Sequence, residues 1–170
     1  KGTDMTGANQ PPVVLKMWQR LSPNPVGRWL FTRTICRRAP YFGTISPRFH
    51  ELVPGFCHVS MKKRRRVQNH IGTVHALAMG NLCELAAGVL MEATPPHGMR
   101  WIPKGMQIRY LAKAPTDISA TARIEPLPWT EAQDVMVPVS VTDTDGNEVV
   151  QADITMYVSP KPLPSLGDHG

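Results

Sequence analysis

One stretch limits the folds open to this chain more than any other. From about Thr73 to Glu92 it reads as a single long helix, and Pro95-Pro96 stops it. Leu77 or Ala78, Leu82, Leu85 and Val89 supply an apolar stripe. Ala76, Ala78, Gly80, Ala86, Ala87 and Gly88 add small side chains. A glycine costs a helix interior about 1 kcal/mol against alanine. Two of them inside one helix imply that another part of the molecule comes very close. A curved sheet laid around the helix would do so.

The rest of the chain supplies such a sheet. Val14, Leu15, Trp18 and Leu21 share one helical face. After the break "SPNP", Val26, Trp29, Leu30 and Ile35 form a second amphipathic helix with Pro25 at its start. Trp18 and Trp29 are expected to pin these helices to the body. "YFGTISPRFHEL" and "FCHVSMKKRRRV" read as two strands turning at Pro54-Gly55, with Pro47 marking an edge or a bulge. Beyond the long helix only strands follow. "WIPKGMQIRYLAKA" and "ISATARIEPL" turn at Pro115-Thr116-Asp117, and "DVMVPVSVTD" and "EVVQADITMYVS" turn at Asp145-Gly146. The plan is α+β, an antiparallel sheet with a helix across it. Three regions are expected: a helical extension over 1–39, one domain over 40–159, and a loose Pro-rich tail over 160–170. The polar stretch 1–9 predicts a frayed end.

Composition narrows the partners. A net charge of +6 favours anions: nucleic acid, an acidic membrane surface or a phosphorylated small molecule. Three cysteines, Cys36, Cys57 and Cys83, show no CxxC or CxxH pattern. They read as reduced thiols of a cytoplasmic protein, and Cys83 as a buried one. The six histidines show no ligand spacing on one helix face, so no metal site is expected. Every apolar run is soon cut by a charge, Pro or Gly, so neither a leader nor a membrane span is expected.

The apolar helix and its entry carry Asn69, His70, His75 and Glu84. Thr73 is a plausible N-cap. The amides just after it lack helical partners and lie at the positive end of the dipole, where a carbonyl oxygen gaining charge is stabilised. Glu84 follows His75 by nine residues. At about 1.5 Å per residue that is roughly 13 Å along the axis, and the two fall on nearly opposite faces. One chain cannot bring both to one reacting atom. A second, antiparallel copy on a two-fold axis could.

Asn69-x5-His75-x8-Glu84 resembles the Asn…His…Asp/Glu spacing of the phenylacetyl-CoA (PaaI-like) hotdog thioesterases. "RRRVQNHIGTVHALAMGNLCELAAG" is closer still to an uncharacterised hotdog branch reading R-x-x-N-H-x-G-T-x-H, then E-x-A-A-G. The resemblance covers about residues 40–158 and implies a hotdog fold, a long helix wrapped by a curved antiparallel sheet. It implies hydrolysis of acyl-CoA thioesters, with coenzyme A entering as part of the substrate and no separate cofactor. Glu84 would be general base or nucleophile. Asn69 and His75 would position the substrate carbonyl or the water from the facing chain. The amides of Ala76 and Leu77, beside Thr73, would polarise the thioester oxygen. The assembly would be a homodimer or a dimer of dimers, without nucleic acid or membrane. Where those enzymes usually have Gly-Gly after the histidine, this chain has Ala76-Leu77. His70 and Glu84 also match a spacing in hotdog dehydratases, but the "HFP…PG" of those enzymes is missing.

Plainer readings stand beside these. Glu84 could pair with an arginine at an interface, His75 could cap the helix, and Asn69 could shape a turn. "KKRRR", residues 62–66, could be a solvated strand end, a nucleic-acid contact, or an anchor for coenzyme A phosphates through Arg64, Arg65 and Arg66. Two functions remain open on the sequence: an acyl-CoA thioesterase, and a non-catalytic hotdog module that binds acyl-CoA or a related ligand.

Overall fold

The structure, a computed structural model, describes residues 10–96, 98–125 and 129–162. Residues 1–9 and 163–170, where the frayed end and most of the Pro-rich tail were expected, lie outside that set. Helices α1 (Val13–Leu21), α2 (Pro25–Arg38) and α3 (Pro40–Gly43) come first. Strands β1 (Arg48–Val53) and β2 (Phe56–Met61), helix α4 (Ala76–Ala93) and strands β3 (Met99–Tyr110), β4 (Ile118–Arg123), β5 (Gln133–Asp143) and β6 (Glu148–Pro160) follow. The strands form one antiparallel sheet in the order β1-β2-β4-β5-β6-β3. Helix α4 touches all six strands, so the sheet wraps it.

That wrapping explains the helix composition. Residues 79–83, 85–91 and 93 of α4 are buried, nearly the whole circumference. A Cβ on Gly88 would stand 3.3 Å from the Trp101 ring, and one on Gly80 3.6 Å from Met106 Cε. Strand β3 is the close neighbour that the glycines implied. By length and mean hydropathy of 1.3, α4 could also cross a membrane, but 72% of it is buried inside the fold as the core helix. Ile118, Ala120 and Ala122 of β4 and Val135, Val137, Val139 and Val141 of β5 alternate inward against it.

Helices α1 and α2 share this core. Asn24 caps α2, its Oδ1 accepting from Gly27 N at 2.8 Å, with Pro25 in the first turn. Trp18 pins α1 as expected. Trp29 does not pin α2: it is 56% exposed. Phe31 does that work, edge-on to Trp18 at 5.0 Å and to Phe49 of β1 at 5.2 Å. The α1–α2 corner is tight, since a Cβ on Gly27 would lie 1.9 Å from the Leu21 carbonyl oxygen. We expect Gly27→Ala to lower stability by about 1–3 kcal/mol or more in urea unfolding, the cost of overpacking. Gly105→Ala, where a Cβ meets nothing within 4 Å, should leave the midpoint nearly unchanged.

Three expectations need correction. Tyr41–Gly43 is helical and not strand, because Pro40 starts a fresh turn after Ala39 leaves helical geometry. The run 62–66 is not a strand end. The ladder stops where Met61 faces Ile118, the first residue of β4, and the Lys63 N–H then donates to Asp117 Oδ1 at 2.8 Å. Arg65–Val67 form a 3-10 turn. Strand β6 runs through Pro160, opposite Met99, so the sheet takes the first residue assigned to the tail.

Candidate active site

The loop before α4 is built on Asn69. Its Oδ1 accepts from the amides of Thr73 (3.0 Å) and Ile71 (3.2 Å), and its Nδ2 donates to Thr73 Oγ1 at 2.9 Å. Backbone bonds from Asn69 N to Thr73 O and from Gly72 N to Asn69 O close the turn, with Gly72 at a φ of 77°. Lys63 ties the basic run to this turn, its Nζ reaching Gly72 O at 3.1 Å. Arg64, Arg65 and Arg66 stand exposed just ahead of it.

Thr73 is not the N-cap, because its hydroxyl is engaged by Asn69. His75 is the cap, and its Nδ1 accepts from Leu77 N at 3.1 Å. A neutral ring that accepts at Nδ1 carries its proton on Nε2. His75 therefore offers an N–H donor to an incoming group. The Leu77 amide, expected to be one of two free donors, is spent on His75. The Ala76 amide has no partner among the described residues. The Leu77 side chain is 69% exposed at the helix start.

Glu84 sits apart from this loop. It is half-buried and shares a helix face with Gly80 and Gly88, one turn before and one after. Those glycines place that face under β3, where Trp101, Met106 and Ile108 wall it. The carboxylate makes no hydrogen bond or ion pair among the described residues. The Trp101 indole N–H goes instead to Glu92 Oε1 at 3.1 Å, and Tyr110 Oη donates to Ala76 O at 3.3 Å. Trp101 and Tyr110 are thus wall residues. Asn69, Thr73, His75 and the Ala76 amide come together on one loop. Glu84 is separated from them along α4, as the helix spacing requires.

Cys83, next to Glu84, is buried, and burial pushes its thiol up to about 12. Burial also raises Cys57 and Cys36. A thiol held neutral in this way is a poor nucleophile. Sequence reasoning missed Asn81, which is 5% exposed. Its Nδ2 reaches Tyr41 O (3.3 Å) and Thr44 Oγ1 (3.4 Å), which holds α3 on α4. An amide inside an otherwise apolar helix was the available signal.

Comparison with known proteins identifies the family and the fold. Residues 27–158 match the family model described as "Domain of unknown function (DUF4442)". A structural-genomics crystal structure is 44% identical, covers 87% of this chain and 99% of its own, and superposes with a TM-score of 0.77. A Pseudomonas aeruginosa protein of unknown function, named "Probable Thioesterase", is 21% identical over 82% of this chain and 98% of its own, with a TM-score of 0.70. A thioesterase family protein from Silicibacter pomeroyi is 17% identical over 76% of this chain and 96% of its own, with a TM-score of 0.65. These likenesses identify the sheet-wrapped helix as the hotdog fold. No curated protein matches the sequence.

Proposed function

The chain belongs to the DUF4442 family, within the hotdog thioesterase superfamily, and from that premise we propose that it hydrolyses acyl-CoA thioesters at a site completed by a second copy of itself. One observation carries the reading. Glu84 is the one carboxylate on α4 before the last turn, and among the described residues it stands unpaired against strand β3. A carboxylate so placed has no structural partner among the described residues to explain it.

The chemistry follows from the parts. Glu84 takes a proton from water as that water attacks the thioester carbonyl carbon. The carbonyl oxygen gains charge and is met by the Ala76 amide and the His75 Nε2–H of the facing copy. The C–S bond then breaks, and the thiolate takes up the proton from Glu84. A carboxylic acid and a free thiol leave. Asn69 acts through the loop, holding His75 and Ala76 in place. Arg64, Arg65 and Arg66 supply cations for the coenzyme A phosphates. The names of the Pseudomonas and Silicibacter neighbours agree with this class of reaction.

A second copy has a place to sit. Strand β3 is the long edge of the sheet; Ile102, Met106 and Tyr110 are exposed on it, and Leu77 is exposed next to Ala76, whose carbonyl Tyr110 Oη reaches. Antiparallel pairing of two β3 edges would set the two α4 helices side by side. The reduced cysteines and this substrate suit the cytoplasm. A non-catalytic acyl-CoA-binding module is the second reading, and the occupied Leu77 amide favours it.

The test is free-thiol release from short, long and aromatic acyl-CoAs. It is followed by mixing His75→Ala and Glu84→Ala chains through unfolding and refolding. Each variant alone should be nearly inactive. The equal mixture should recover about a quarter of wild-type activity, because half of two-fold dimers then carry one intact site. A mixture no better than its parts would place the whole site within one chain.

A further inference from the structure

A second concave surface lies away from Glu84, between α2 and β1. The cleft has a volume of about 750 Å³, within the range of small-molecule pockets. Arg28, Arg33 and Arg37 of α2, Arg48 of β1 and Arg64 ahead of the active-site loop all line it. No carboxylate does. Among the described residues the one ion pair is Lys104–Asp134, so none of these five guanidinium groups is neutralised. Arg28 is held by the Ser22 carbonyl at 3.0 Å, and Arg33 lies over the exposed Trp29 ring at 4.9 Å.

Five like charges around one hollow repel one another, at a cost in stability that a bound anion would relieve. His50 reports the same field. Its ring is 4.8 Å from that of His58, and its Nε2 is 2.6 Å from Ser60 Oγ. Partial burial holds its pKa below the ordinary value, and His58, Arg28 and Arg48 lower it further.

We infer that this cleft binds a phosphate-bearing small molecule, its phosphates on the arginines and its organic part against Trp29. Guanidinium groups match phosphate oxygens in two-point hydrogen bonds, and several converging ones recognise a multiply charged ester. The concavity favours a small molecule over a flat anionic bilayer, which could not meet Arg48 and His50 on the sheet wall together with the helix arginines. Only Arg64 is shared with the coenzyme A phosphate contacts proposed above, and the inference stands on Arg28, Arg33, Arg37 and Arg48 without the thioesterase reading. Glu84 takes no part in it, and the probe below contains no thioester.

The experiment is calorimetric titration of ADP into the wild type, Arg33→Glu/Arg37→Glu and, as a charge control outside the cleft, Arg20→Glu. ADP should bind the wild type and the control alike. The double variant should lose about tenfold or more, the effect of losing even one charge-assisted hydrogen bond. If the double variant fails to fold by circular dichroism, Arg33→Gln/Arg37→Gln replaces it, with the same loss expected. ADP should also raise the His50 titration midpoint in NMR for the wild type. No ADP binding overturns the proposal, as does an equal loss in Arg20→Glu. Binding to phosphatidylglycerol vesicles but not to ADP overturns it in favour of a membrane contact.

Discussion

Replacing Glu84 by alanine should lower thiol release from acyl-CoA by about 100-fold or more, the contribution of a positioned acid–base group. That is about 2.7 kcal/mol of transition-state stabilisation. The loss should fall on the chemical step, so kcat drops while KM changes little. Glu84→Gln keeps the shape and removes only the ionisable oxygen, so it should be as slow as the alanine variant. Stability should barely move in either, because the carboxylate is half-buried and unpaired. Together these results separate a base from a structural anchor, which would show the reverse pattern. Retained turnover in both variants would move the base elsewhere. If no protein releases thiol while acyl-CoA still binds, the non-catalytic reading replaces the enzyme.

The second large effect concerns the extension. Phe31→Ala should destabilise the protein by about 3–5 kcal/mol, seen as a lower urea midpoint. Phe31 is fully buried and sits edge-on between Trp18 and Phe49, so three segments lose their common contact. Such ring pairs also contribute about 0.5–1.5 kcal/mol beyond their buried area. Trp29→Ala, on the outer face of the same helix, should change stability by about 0.5 kcal/mol or less. A small effect at Phe31 would mean that α1 and α2 are dispensable to the core. Their shared packing argues that they are part of one folding unit with the sheet.

Particular residues explain what could be read from the sequence. Gly80 and Gly88 announced a close neighbour for α4, and strand β3 is that neighbour. Asp145-Gly146 announced a hairpin, and Gly146 takes a φ of 84° between β5 and β6. The nine-residue offset of His75 and Glu84 already separated them, because helix geometry is fixed by the backbone. Other features were out of reach. Whether Thr73 or His75 caps α4 depends on which side chain Asn69 engages, a choice made by one loop's hydrogen bonds. Trp18 and Trp29 look alike in a helical pattern, yet only Trp18 meets the core. The arginine cleft draws on α2, β1 and the segment after β2, so no single window of sequence contains it.

The two edges of the sheet are unlike, and that difference governs growth. Strand β1 has six residues, a bulge between Phe49 and Glu51, and Pro47 and Pro54 at its flanks, so it makes a poor template. Strand β3 has twelve residues and shifts register between Pro103 and Gly105. A sheet with one serviceable edge has a valence of one. When two β3 edges meet about a two-fold axis, both are consumed and the addition terminates. The same exposed strand that could seed a fibre in a symmetric sheet would, in the proposed dimer, be restricted to a single, self-ending union.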